Sequence, residues 1–221
     1  MKHQLKSIAA GAAILLGAAF AAAPASADDA SSGISGTGIH RGDWLVRLRA
    51  INIIPQSSSN NTLNAIDTQV NNSVVPELDF TYMATDAIGA ELILGTSRNQ
   101  VTSHGLGALG GVGVLPPTLL LQYHFNHAGK IRPYVGAGMN YTLFYNNGLH
   151  AGAGGPSVAI DNHSFGPAVQ IGVDIDVTKR IFVNADVKKI WMRTGASLNG
   201  SSLGTLYIDP LVVGIGVGMK F

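Results

Sequence analysis

From residue 42 onward, apolar and polar side chains alternate in stretch after stretch of the chain. A period of two marks strands whose two faces meet different surroundings. Over 42–54, Trp44, Val46, Leu48 and Ala50 share one face, and Arg47 and Arg49 share the other. The stretch 75–84 sets Leu78, Phe80 and Tyr82 against Glu77, Asp79 and Thr81. In 88–96, Ala90, Leu92 and Leu94 oppose Gly89, Glu91 and Ile93, and in 115–125, Leu119, Leu121, Tyr123 and Phe125 oppose Thr118, Leu120, Gln122 and His124. The same habit runs through 131–145, 165–176, 181–192 and 207–221, which makes about eight strands.

Each strand is long enough to cross a bilayer when tilted, which takes roughly 9–11 residues. Beyond the N-terminal run, no apolar stretch reaches the length of about 18 residues that a membrane helix needs. The connections alternate in length: 55–74, 97–114, 146–164 and 193–206 are long and polar, whereas 85–87, 126–130 and 177–180 are short. Long loops on one side and tight turns on the other characterise outer-membrane barrels. The pattern predicts an all-β fold, an eight-stranded antiparallel transmembrane β-barrel with four long outer loops and short periplasmic turns. A charged side chain facing lipid at the bilayer midplane costs roughly 2–4 kcal/mol. The charged face of each strand is therefore the lumen and the apolar face the lipid. Closing the sheet pairs both edges, as the bilayer core requires.

The aromatic residues agree by phase. With a periplasmic N-terminus, Trp44, Tyr82, Tyr123, Phe125 and Phe221 fall near the inner rim, and Tyr141, Trp191 and Tyr207 near the outer rim. Two aromatic belts are expected where rings meet headgroups. The final strand has apolar residues at every second position from Leu211 to the terminal Phe221. Phe221 is a candidate assembly signal, read by the outer-membrane assembly machinery.

Composition supports this picture. Only 12% of the 221 residues are charged, 28 are glycine and none is cysteine, so disulfides and thiolate chemistry are excluded. Charge is nearly balanced and no basic stripe occurs, which argues against a nucleic-acid partner. At the N-terminus, Lys2 and Lys6 precede an apolar run from Ile8 to Ala23, and Ala25-Ser26-Ala27 forms a small-x-small site. This reads as a signal peptide over 1–27, leaving the barrel over 28–221, in a bacterial outer membrane.

Three stretches carry a family resemblance: Phe80-Thr81-Tyr82-Met83-Ala84-Thr85-Asp86 with Ile88-Gly89, Leu115-Pro116-Pro117-Thr118-Leu119, and Arg132-Pro133-Tyr134-Val135-Gly136-Ala137-Gly138 with Asn140-Tyr141-Thr142. Gln170-Ile171-Gly172-Val173-Asp174 and Asp209-Pro210 add to them. In this order and spacing the chain resembles the outer membrane protein W family, which includes the alkane-uptake protein AlkL. The resemblance implies an eight-stranded barrel that passes small hydrophobic molecules across the outer membrane. It implies lipids and such solutes as partners, and no cofactor.

An eight-stranded barrel has an interior largely filled by side chains. Toward the periplasmic end the inward face offers Arg47, Arg49, Asp79, Gln122, His124, Asp174 and Asn184, a set suited to a self-neutralising plug. Higher up, Ile93, Leu120 and Phe144 point inward among Gly95, Gly136 and Gly138, either as ordinary packing or as an apolar substrate path. Pro116 and Pro117 stand at the outer end of the fourth strand. Proline gives no N–H to a ladder. Either the strand ends there at the membrane rim, or the wall opens and a ligand leaves sideways into the bilayer. The family description includes an apolar constriction. Ile93 suits it, whereas Asp186 and Lys188 on the seventh strand are charged, and Lys188 is counted with the path.

No metal-binding spacing occurs among the histidines. Two other readings remain at this point: a lipid-modifying enzyme built on His163, Ser164 and Asp161, or a structural or receptor barrel without transport. Adjacent strand residues face opposite ways, so His163 and Ser164 are poorly placed for catalysis, and no enzyme is expected.

Overall fold

The computed structural model describes residues 38–60, 67–104, 107–146, 148–150 and 155–221. The expected signal peptide over 1–27 lies outside the described residues. Eight strands form the wall: β1 (Trp44–Ile54), β2 (Ser73–Met83), β3 (Ile88–Gly95), β4 (Thr118–His124), β5 (Ile131–Tyr145), β6 (His163–Asp176), β7 (Ile181–Ile190) and β8 (Leu211–Lys220). Each pairs antiparallel with its chain neighbour in the wall, and β8 closes the barrel on β1 from Leu45↔Lys220 to Ile54↔Leu211. Phe221 N–H donates to Trp44 O at 2.9 Å, so the last residue is part of the closure.

The alternation read from the sequence is realised as two faces. Leu119, Leu121, Ile171, Ile215 and Val217 are exposed to the surroundings, whereas Arg47, Asp79, Glu91 and Asp174 are 0% exposed. Outward Trp44, Tyr82, Tyr123, Phe125 and Phe221 ring one end; Tyr141, Tyr145, Phe165 and Trp191 ring the other. Tyr207 departs from expectation. The positive φ of Asp209 and Pro210 separate it from β8, and it lies half-buried in an outer strand.

The short turns are made by side chains that replace ladder partners. Thr85 Oγ1 accepts Ile88 N–H at 2.9 Å, and Thr178 Oγ1 accepts Ile181 N–H at 2.9 Å. Asn126 sits at positive φ and donates its amide to Ile131 O. These are residues that cap their own turns or tolerate a left-handed backbone.

The long outer connections are mostly strand. The hairpin of Ser97–Ser103 with Gly107–Leu115 continues β3 and β4 outward, and that of Arg193–Leu198 with Ser201–Tyr207 rises above β7 and β8. Ser157–Ile160 joins this second pair. In these segments the faces are reversed. Val101, Leu109, Val112, Val158, Ala196 and Leu206 point inward and form one apolar cluster with Phe144 and Leu149, while Arg98, Gln100 and Thr102 face out. The segments read as polar because their outward face meets water.

Candidate functional site

The lumen has three levels. At the periplasmic end, Gly38 and Ile39 enter the barrel mouth. Ile39 packs with Leu45, Met83 and Phe182, and its N–H donates to His127 O at 2.8 Å. Lys220 donates to Gly38 O, while Gly38 N–H reaches Asp176 Oδ2 at 3.2 Å.

The middle level is ionic. Arg47 pairs with Asp174 at 2.8 Å and with Glu91 at 3.3 Å. Arg49 reaches Asp79 at 2.6 Å, Asp186 at 3.0 Å and Glu77 at 3.1 Å. Its contact with Asp79 is close but lacks hydrogen-bond alignment, so it counts as charge pairing only. Lys188 contacts Glu77 and lies 3.2 Å from Asp186. Gln122 bridges Glu91 and Gln170, donating at 2.7 and 2.9 Å. Two glycines make room for aromatic rings here. A Cβ on Gly172 would overlap the Tyr134 ring, and one on Gly218 the Phe182 ring. Both rings also receive the Arg47 guanidinium on their faces, at 5.3 and 5.5 Å. Buried ions are tolerated through pairing and hydrogen bonding; Arg47 and Lys188 have both, whereas the Asp79 carboxylate has charge pairing alone.

Above Lys188 the lumen becomes apolar. Ile51, Ile93, Ile190, Met192 and Val212 form a collar together with Ala168 and Leu120. Over it opens a cavity, about 1180 Å³ of empty space with its open mouth included, lined by Ile93 and Met192 below, by Phe144 at the outer end of β5, and by Val101, Val112 and Leu206 in the outer strands. Glu77 and Lys188 are the ionised groups at its floor.

The expected path residues are thus brought together, with differences among them. Ile93, Phe144 and Lys188 line the cavity. Leu120 is buried one pair beneath, opposite Glu91 and Gly138, and supports the collar from below. The apolar side missing from the seventh strand comes from Ile190, two residues beyond Lys188 on the same face. Pro116 lines the cavity, and Pro117 lies beside it in the wall. Glu77, Glu91 and Gln170, which the alternation already sets on the lumenal face, join the plug, and so do Arg132 and Tyr134, which share their strand's inward parity. Sequence reasoning passed over the outer-strand lining, where an apolar inner face was hidden among glycine and polar residues.

At the prolines the wall is interrupted. The β3–β4 ladder runs from Ile88↔Tyr123 to Ile93↔Thr118, and pairing resumes in the same register at Ser97↔Val114. Leu94, Gly95 and Thr96 lie between, opposite the segment Leu115–Pro117. On the other side, Tyr141 N–H still donates to Pro117 O at 3.0 Å.

His163 faces out and stacks on Tyr141 at 6.2 Å, while Ser164 is buried and accepts Arg193 N–H. Asp161 accepts Gly195 N–H. The three side chains do not converge. Among the described residues, no group of acidic and histidine side chains is arranged to hold a metal. In the outer region Asp67 accepts Gln69 Nε2 at 3.1 Å and touches His104, contacts that hold its carboxyl below the usual range.

The OmpW family model matches residues 40–221. The chain belongs to the OmpW family. An outer-membrane protein of Sinorhizobium fredii named y4mB is 39% identical over 218 residues, covering 93% of this chain and 94% of its own length. Outer membrane protein W of Escherichia coli is 36% identical over 188 residues, covering 81% and 89%. The crystal structure of the outer membrane protein OprG from Pseudomonas aeruginosa superposes with a TM-score of 0.73 at 31% identity, covering 83% of this chain and 98% of OprG. The family places the barrel in the bacterial outer membrane, and the apolar outward belt is its lipid-facing surface.

Proposed function

We propose that this OmpW-family barrel passes small hydrophobic molecules from outside the cell into the outer membrane, without a bound cofactor and without chemistry. The observation that carries the reading is the apolar cavity standing on an ionic floor. An apolar solute gains roughly 25 cal/mol for each Å² it removes from water, so the cavity favours such solutes. Passing down through Lys188, Glu77 and the Arg49 cluster would require separating buried ion pairs, at about 3–5 kcal/mol for each partner removed.

A sideways route avoids that cost. Pro116 lines the cavity at the height where the β3–β4 ladder lapses. A solute leaving there enters the acyl chains directly. In this reading Ile93 and Phe144 guide the solute, Leu120 supports the collar, Lys188 seals the floor, and Pro116 and Pro117 keep the exit. Phe221 serves assembly by presenting a terminal aromatic to the machinery that inserts the barrel.

The test is uptake by proteoliposomes of a graded series of solutes, from alkanes through alcohols to sugars of similar size. Selective acceleration of the apolar members is expected. Equal acceleration of the sugars, or none of any solute, overturns the reading.

A further inference from the structure

We infer that Asn140 is the positioning residue that keeps the β3–β4 ladder open beside Pro116. The argument begins with strand parity. Successive residues of an antiparallel strand direct their backbone groups to opposite neighbours. His124 N–H donates to Ala87 O, at the start of β3, so even-numbered residues of this segment address β3. Pro117 O accepts Tyr141 N–H and Phe125 N–H donates to Pro133 O, so odd-numbered residues address β5. By this rule the Pro116 carbonyl belongs to β3, opposite Gly95.

It is drawn inward instead. Asn140 Nδ2 donates to Pro116 O at 3.1 Å and to Pro117 O at 3.3 Å, and lies 2.8 Å from Thr118 Oγ1. Thr118 Oγ1 donates to Pro116 O at 3.0 Å. Asn140 is itself fixed: Thr142 Oγ1 donates to its Oδ1 at 2.6 Å, and Asn140 and Thr142 are fully buried.

Proline explains only half of the break. It removes the N–H that Gly95 O would have accepted. It leaves the Pro116 carbonyl free to accept Gly95 N–H, and one such bond would draw the strands together. A buried carbonyl takes whatever donor is offered; Asn140 offers one from the lumen and, by donating to Thr118 Oγ1, turns that hydroxyl's own proton toward the same oxygen. The side-chain amide thus competes with the neighbouring strand for the same oxygen.

The inference rests on the sideways-exit reading for its functional meaning, but not for its structural test. That test is amide hydrogen exchange by NMR on the full barrel in lipid nanodiscs. It compares Gly95 with Gly89, which shares its parity and is paired to Gln122. In the native protein Gly95 should exchange at least tenfold faster than Gly89. In Asn140→Leu, which keeps the volume without hydrogen bonds, Gly95 exchange should slow at least tenfold while Gly89 is unchanged. Thr142→Val, which releases Asn140 without touching the prolines, should slow it several-fold and serves if the Leu variant does not fold. Unchanged Gly95 exchange in a folded variant overturns the role of Asn140. Slowed exchange with unchanged alkane uptake supports that role and overturns the sideways exit. Slowed exchange with reduced uptake supports both.

Discussion

Arg47 on β1 and Asp174 on β6 meet at 2.8 Å across the lumen, tying together strands that are not neighbours in the wall. Arg47 also donates to Thr81 at 2.7 Å, so one guanidinium braces β1, β2 and β6. Replacing Asp174 with Leu leaves the buried Arg47 leaning on Glu91, at a cost of about 3–5 kcal/mol. Urea unfolding in lipid vesicles should show a lower midpoint for Asp174→Leu. An unchanged midpoint would mean that the lumenal network does not brace the barrel.

Restoring the ladder at the prolines should restrict exit. Pro116→Val with Pro117→Thr supplies both missing N–H groups to a segment already in register on either side. Alkane uptake should fall at least several-fold at equal barrel abundance, with the folded fraction unchanged. Uptake at the native rate would show that solutes leave elsewhere.

Filling the cavity is an independent test. Ala196 lies on the outer strand Arg193–Leu198 and lines the cavity wall. Ala196→Trp places a large ring in that space without disturbing the ion network below. Apolar uptake should drop several-fold while the urea midpoint stays near native. A fully active variant would argue that the cavity is off the route.

The terminal residue separates assembly from stability. Phe221 is 57% exposed, and its backbone closes the sheet on Trp44. Phe221→Ala keeps that backbone pairing. The purified variant should refold in detergent with native efficiency, while the amount inserted in cells falls. Native abundance in cells would remove the assembly role.

The two-faced strands were legible because lipid and an ionic lumen make opposite demands on adjacent residues. Arg47, Asp79 and Asp174 stand where their parity puts them, and so do Leu119 and Ile171. The outer strands were obscured because water replaces lipid there. Arg98 and Gln100 look like loop residues, yet they alternate with buried Asn99 and Val101 in a regular ladder. The plug's partners were harder to read. That Arg49 reaches Glu77, Asp79 and Asp186 together depends on barrel curvature, which no local pattern encodes. The role suggested for Asn140 was hidden for a different reason: its partners include backbone carbonyls beside the neighbouring strand, which a pattern of side chains does not show.

The reversal of faces above the aromatic ring has a mechanical meaning. On the outward side of one continuous line of residues, Leu92 and Leu94 give way to Arg98 and Gln100, and on another Trp191 gives way to Arg193. Sinking the barrel by a single turn of this pattern would push guanidinium groups into hydrocarbon, and raising it would strip leucines of lipid. The molecule is therefore pinned at one height, and the mouth of its cavity is held at a constant distance from the headgroups.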